Sequence, residues 1–175
     1  MKRIAIFGSP GSGKSTLARQ LSVRTGIPAI HLDKFYFNSG WEITSSEAFE
    51  TAMHTATMAD YWITDGNYLT ESTVTGRIQR ADTLILLECP RLVCMWRVIR
   101  RVIRYYGQSR PDLTDGCPER FDWAFLLFVW NHPPKLDRTR QLLKSLSGEK
   151  TILILRNKRE VTQFLKTEQP KPLLS

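Results

Sequence analysis

The chain has 175 residues, a formal net charge of +8, and 42% hydrophobic and 24% charged residues, which suits one domain burying about two thirds of its unfolded surface. No stretch approaches the roughly 20 apolar residues of a membrane span, and Lys2 and Arg3 lead straight into a strand pattern without the apolar run and cleavage site of a secretory signal, so we expect no membrane contact and a cytoplasmic location. Three cysteines (Cys89, Cys94, Cys117) at spacings unlike any zinc pattern and three scattered histidines (His31, His54, His132) give no reason to expect a structural metal or disulfide.

In chain order, the apolar runs Arg3 to Phe7, Ala29 to Leu32, Tyr61 to Thr64, Thr83 to Leu87 and Thr151 to Leu155 read as strands buried on both faces. Between them the pattern turns helical. Lys14 to Thr25 sets Leu17, Ala18 and Leu21 on one face; Thr44 with Glu47 forms a capping-box pattern ahead of Phe49, Ala52, Met53 and Ala56. After Pro90, the residues Leu92, Met95, Trp96, Ile99, Val102 and Ile103 recur at helical spacing and predict one packed face, with Arg97, Arg101 and Arg104 on another stripe. Gly107 to Pro118 reads as a loop, Glu119 to Trp130 as a helix ending before Pro133 and Pro134, Leu136 to Leu146 as its continuation, and Lys158 to Lys166 as the last helix. Residues 168 to 175 read as a frayed tail. Five strand and helix alternations predict an α/β doubly wound parallel sheet, whose ligands sit at the carboxyl ends of the strands.

The stretch from Gly8 to Thr16, "GSPGSGKST", matches the phosphate-binding loop pattern G-x-x-x-x-G-K-[ST] between a strand and a helix. Small residues (Ser9, Pro10, Gly11, Ser12, Gly13) let the backbone curl with its N–H groups inward around an anion. Lys14 reaches the β- and γ-phosphates and acts in catalysis, Ser15 supplies a hydroxyl to Mg²⁺, and Thr16 completes the nucleotide contact. The cofactors expected are therefore ATP and Mg²⁺.

The second strand ends at His31-Leu32-Asp33, ahead of Phe35, Tyr36, Phe37 and Trp41. A carboxylate at that edge can orient or deprotonate an acceptor hydroxyl, so Asp33 is a candidate catalytic and substrate-binding group, with Trp41 and Tyr68 bordering the acceptor pocket. The third strand ends at Thr64-Asp65-Gly66-Asn67-Tyr68, and Asp65, beside Ser15 if that strand neighbours the first, is a candidate for the metal's shell and for the substrate side. From Arg91 to Arg120 there are seven arginines, no lysine and three acids, half of the whole excess charge in thirty residues. Planar guanidinium groups stabilise the charge spread over a moving phosphoryl group. Arg97, Arg100, Arg101, Arg104, Arg110 and Arg120 therefore read as an arginine-bearing lid. Asn157-Lys158-Arg159-Glu160 misses the final Asp of the guanine-reading N-K-x-D, and no D-x-x-G switch occurs, so guanine specificity is not expected.

These residues resemble the small P-loop kinases, the group that contains adenylate, shikimate and gluconate kinases. Within it, "GSPGSGKSTLA", "HLD", "WITDGNY" and "RPDLTDGCPERFD" resemble the adenylate-kinase-related proteins labelled DNA topology modulation proteins, or flagellar-regulator-like. The resemblance runs from about Lys2 to Leu165. It implies a single P-loop domain over 1–175, with a three-layer sandwich, a five-stranded parallel sheet of order 2-3-1-4-5 and helices on both faces. It also implies an acceptor-binding segment near 34–60 and an arginine-bearing lid near 97–120, in which Arg101 and Arg104 are candidate catalytic groups, Arg110 a cofactor contact and Arg120 a substrate contact, with Asn157 bordering adenine. Adenylate kinases read D-G-F-P-R where this chain has Asp65-Gly66-Asn67-Tyr68-Leu69, so AMP is not implied as acceptor.

Two functions follow as expectations. One is a kinase transferring the γ-phosphoryl group of Mg-ATP to an unidentified small acceptor, a nucleoside or a nucleotide among the candidates. The other is a nucleotide-dependent regulator that binds nucleic acid through its basic surface, although no DNA-reading element is recognisable. A third, an ATP-binding protein whose turnover has decayed, sits less easily with Lys14, Ser15, Asp33 and Asp65 all being present. Oligomeric state is left unassigned.

Overall fold

A computed structural model describes residues 1–168; the expected tail lies almost wholly outside them. The elements in chain order are β1 (Arg3–Gly8), α1 (Lys14–Thr25), β2 (Ala29–His31), α2 (Asp33–Tyr36), β3 (Phe37–Asn38), β4 (Glu42–Ile43), α3 (Ser46–Thr57), β5 (Trp62–Asp65), α4 (Leu69–Val74), α5 (Arg77–Arg80), β6 (Thr83–Leu87), α6 (Arg91–Tyr105), α7 (Trp123–Asn131), α8 (Leu136–Ser145), β7 (Thr151–Leu155) and α9 (Lys158–Thr167). The main sheet has the order β2-β5-β1-β6-β7 with every pairing parallel. Counting only its own strands, that is 2-3-1-4-5, the order expected from the sequence.

The central strand β1 explains the layering. Ile4 and Ile6 point to one face and join Leu17, Leu21, Ile63, Ile85 and Leu165 under α1 and α9. Ala5 and Phe7 point to the other and join Trp62, Ile78, Leu84, Leu86 and Leu143 under α5 and α8. Residues Ile4 to Phe7 are wholly buried, each large one contributing about 1.5–3 kcal/mol of hydrophobic stabilisation. A strand covered on both faces needs apolar side chains at every position. This three-layer P-loop sandwich therefore puts β1 and β5 side by side, with their carboxyl ends opening on one edge.

Several local expectations need correction. The α3 cap is Ser45, whose hydroxyl accepts from the Ala48 N–H at 3.3 Å, rather than Thr44. The helix expected from Glu119 begins only at Trp123, because Asp122 is the residue whose side chain accepts from the Phe125 N–H and caps it. The sequence pattern carries no sign of the small antiparallel hairpin, β3 with β4, that lies between α2 and α3. Of the face expected to pack on α6, Val102 is buried and Met95 and Ile99 are half-buried, whereas Leu92, Trp96 and Ile103 are exposed, and the buried face is completed by Cys94 and Val98. Periodicity located the helix, but α6 has too few neighbours to cover an apolar arc that wide. Among the described residues, no helix is long and apolar enough to cross a membrane.

Candidate active site

The loop between β1 and α1 turns on glycine. Gly11 has φ 78°, and a Cβ there would run into the backbone carbonyl of Cys94 at the start of α6, so the phosphate loop and the lid-bearing helix touch through bare backbone. Lys14 folds back along the loop, its Nζ donating to Gly8 O at 2.7 Å and Ser9 O at 3.1 Å. Burial lowers the Lys14 pKa, and the charges of Asp33 and Asp65 act against that shift. Ser9 and Ser12 are buried and do not line the cleft.

The expected neighbours of this loop arrive by sheet register. β1 pairs with β5 so that Ile6 lies opposite Asp65, and the Ser15 hydroxyl, in the first turn of α1, donates to Asp65 Oδ2 at 2.6 Å. His31 at the end of β2 stands opposite Asp65 in turn, and its Nδ1 lies 2.5 Å from Asp65 Oδ1. Burial alone would raise the Asp65 pKa, but the His31 contact, the Ser15 hydrogen bond and the Lys14 charge together hold it below the ordinary carboxylate value. No group of three or more His, Cys, Asp or Glu among the described residues could hold a metal ion alone. A hydroxyl and an ionised carboxylate in contact at the phosphate loop nevertheless fit Mg²⁺, which takes few protein oxygens and fills its shell with water and phosphate oxygens.

Asp33 opens α2 one residue beyond Leu32, and the Tyr68 hydroxyl donates to its Oδ1 at 2.7 Å. Burial raises the Asp33 pKa, with the Tyr68 hydrogen bond and the Lys14 and Arg110 charges pulling it back. Tyr68 is held by Phe49 and Tyr36, ring centroids 4.7 and 4.9 Å away. Trp41 donates its Nε1 to Pro118 O at 3.0 Å, and the Gly40 N–H to Gly116 O at 2.8 Å. Residues 40–41 and the loop carrying Gly116 and Pro118 are thus joined by hydrogen bonds across the mouth of the site.

One cleft of about 930 Å³ collects these parts: Lys14, Ser15 and Thr16, then Asp33, Trp41, Asp65 and Tyr68, and the lid's Arg101, Arg104, Arg110 and Arg120 all line it. The arginines are not alike. Glu119, 4% exposed, has its Oε1 3.0 Å from Arg101 Nε and 2.5 Å from Arg110 Nε, and Arg110 also meets Asp112 at 3.1 Å. Arg97, on α6, donates to Ser12 O at 3.0 Å.

Asn157, like Ser9 and Ser12, stands apart from the other expected site residues. It does not line the cleft; its side chain caps α9, accepting from the Glu160 N–H at 3.0 Å and donating to the Glu160 carboxylate at 2.6 Å. The Glu160 carboxylate also accepts from the Arg156 N–H at 2.7 Å, so Asn157 and Glu160 together close the N-terminus of α9, which accounts for the near match to a guanine-reading motif.

Sequence reasoning missed four residues. His31 clamps Asp65, and Glu119 gathers Arg101 and Arg110. His132, following α7, lies 3.4 Å from the Ser9 hydroxyl and 3.2 Å from Asn67 Nδ2, while Asn67 Oδ1 accepts from the Gly8 N–H at 2.9 Å. Arg77 is fully buried behind β5, donating to Thr64 Oγ1 at 2.8 Å, Gly66 O at 3.0 Å and Ser72 Oγ at 2.9 Å, with its guanidinium 4.5 Å from the Phe7 ring centroid. For His31 the "HLD" segment at a strand end was a usable signal; for Arg77 there was none.

No protein-family model and no curated protein matches the chain. Among solved structures it is similar to a deoxyadenosine kinase from M. mycoides with bound dCTP, at 14% identity over 94% of this chain and 97% of that one, with a TM-score of 0.48. The same kinase with bound dATP aligns at 13% identity over 95% and 98%, with a TM-score of 0.49.

Proposed function

We propose that the chain is an ATP-dependent phosphotransferase that moves the γ-phosphoryl group of Mg-ATP to a hydroxyl of a small acceptor, a nucleoside or a nucleotide. One observation carries this: a single cleft of about 930 Å³ is lined at once by the phosphate loop, the Ser15–Asp65 pair, the Asp33–Tyr68 pair and a group of arginines. That volume accommodates a nucleotide and a second small molecule together. The rings of Tyr36, Phe37 and Trp41 line it near Asp33 and offer flat faces to a planar base.

In this reading the loop N–H groups and Lys14 hold the β- and γ-phosphates, and Lys14 exchanges its bonds to Gly8 O and Ser9 O for phosphate oxygens. Ser15 and Asp65 hold Mg²⁺, which neutralises charge on the phosphates when bound. Asp33 takes the proton of the acceptor hydroxyl as its oxygen bonds to the γ-phosphorus and the bond from that phosphorus to the β,γ-bridging oxygen breaks, releasing ADP. A raised pKa suits a base working near neutrality, and Tyr68 fixes which carboxylate oxygen faces the acceptor. Arg104 and Arg120 stand ready for the equatorial oxygens, while Glu119 keeps Arg101 and Arg110 in place.

The narrower assignment to DNA topology modulation rests on the sequence resemblance alone. Arg97, Arg101 and Arg104 line the cleft with the phosphate loop, which favours a small anion over a nucleic-acid duplex as their partner. The test is ADP release by the purified chain with Mg-ATP and a panel of nucleosides and nucleotides. Turnover that depends on one acceptor and is lost in Lys14→Ala is expected. Hydrolysis indifferent to every acceptor, or salt-sensitive duplex binding that is lost when these arginines are neutralised, overturns the proposal.

A further inference from the structure

Helices α6 and α7 form an antiparallel hairpin, with the Arg91 guanidinium 4.9 Å from the Trp130 ring centroid at one end and the Arg101 guanidinium 5.5 Å from that of Phe125 toward the other. Arg97, Arg100, Arg101, Arg104, Phe125 and Phe128 line the cleft and define one side of this hairpin. On the opposite side α6 presents Leu92, Trp96 and Ile103, with Tyr106 just past its C-terminal end; these are 71%, 62%, 73% and 68% exposed. The turns of α7 carry that strip onward through Trp123, Leu127 and Trp130, which are 74%, 63% and 40% exposed. None of the seven lines the cleft.

The spacing on α6 is as informative as the exposure. Positions 92, 96, 99 and 103 follow steps of four, three and four, and all are apolar or aromatic, with Ile99 half-buried where the seam meets the contact with α7; that is the seam of a helix that packs lengthwise against another helix. On α7, positions 123, 127 and 130 repeat the same steps. An apolar strip this wide, with no charged side chain at any of these positions, is not the ordinary surface of a monomer.

We propose that this strip is the interface of a homodimer, in which the α6–α7 hairpins of two copies pack around a twofold axis as a four-helix bundle. Three features favour a second copy of the chain as the occupant. The exposed parts of the seven side chains amount to about 800 Å², what one partner contributes to an interface of standard size. A seam of four-and-three steps is matched by a helix with the same steps, which the copy supplies by symmetry. The chain carries a charge of +8, yet Arg97, Arg100, Arg101 and Arg104 line the cleft and Arg91, at the edge of the strip, is stacked on Trp130, so self-association sets few like charges against each other and the strip lacks the ring of outward cations that an anionic membrane surface recruits. Dimerisation then braces the lid-bearing hairpin from behind and leaves both clefts open.

The test is the mass of the full-length chain by light scattering or sedimentation equilibrium. Twice the 20.2 kDa of one chain is expected, returning to the single-chain mass in Trp96→Glu, Leu127→Glu with an unchanged circular dichroism spectrum. Three of the five tryptophans lie in the strip, so the emission of the unmodified protein should shift to the red on dilution through the dissociation range. That readout, together with amide exchange of residues 92–106, decides the matter if the double variant does not fold. A single-chain mass at about 100 μM, far above the Kd of a standard interface, overturns the proposal. So does a dimer that survives in the folded double variant, or a monomer that instead binds phosphatidylserine vesicles through the strip.

Discussion

Asp33 and Asp65 line the same cleft and feel the same lysine, yet their proton affinities are pushed apart: burial raises Asp33, whereas His31, Ser15 and Lys14 hold Asp65 down against its own burial. Two carboxylates separated in this way can divide the work of a base and a permanently charged metal ligand. The linkage signs are opposite. Asp33 binds its proton more tightly when folded, so its contribution to stability is present at low pH and declines as pH rises through its folded pKa. Asp65 contributes stability above the ordinary carboxylate pKa of 3.8, lost only as pH falls through its lower folded value.

It follows that, on acidification, turnover should fall while the fold persists. The acid limb of kcat/KM is expected above pH 3.8, the ordinary carboxylate pKa, and loss of ellipticity below it. Parallel pH titrations of activity and circular dichroism check this; coincident midpoints would show that Asp33 is not the titrating base.

Asp33→Asn should separate binding from chemistry. An amide still accepts the Tyr68 hydrogen bond but cannot take the acceptor's proton, so kcat should fall about 10²–10⁴-fold with ATP affinity little changed. Removal of a poorly solvated charge should at the same time raise stability at neutral pH by roughly 0.5–2 kcal/mol, the usual trade between stability and activity. Calorimetry and nucleotide titration of the variant measure both.

Arg77 is expected to matter for folding rather than for turnover. Arg77→Met fills much of the space but strands Thr64 Oγ1, Gly66 O and Ser72 Oγ without their donor, three buried groups between β5 and α4. A loss of about 3 kcal/mol is expected from unsatisfied groups of this kind, read as a lower denaturation midpoint, with KM for ATP unchanged at temperatures where the variant stays folded.

The strands and the phosphate loop were legible because both rest on local pattern: buried parallel strands are continuous apolar runs, and the loop needs glycine where a side chain would strike Cys94. Register then turned proximity in the fold into contact, so Asp65 could be placed near Ser15 from strand order alone. Residues that act across the sheet or across the lid were not legible. Glu119 looked like the start of a helix, since nothing local reveals that Arg101 and Arg110, 18 and 9 positions away, converge on it. The exposed half of α6 misled for the opposite reason: periodicity says which residues share a face, and is silent on whether another element covers that face.

Glu119 carries the last prediction. It is buried between two arginines that line the cleft, and in Glu119→Gln those guanidinium groups lose the one negative charge they share. Removing one partner from a buried ionic group costs about 3–5 kcal/mol, here concentrated in the lid, whose loop is tied to the acceptor segment through Trp41 and Pro118. Faster amide exchange is therefore expected in residues 107–118 and 38–43 together, with β1 and β5 unaffected. Kinetically, KM for the acceptor should rise more than KM for ATP, because the lid meets the acceptor segment directly while Lys14 and the loop N–H groups hold the donor independently. Lys substituted for Arg101 in Arg101→Lys, which keeps the charge but loses the planar fork, should show a milder form of the same pattern. Unchanged exchange in 38–43 would show that the two segments open separately.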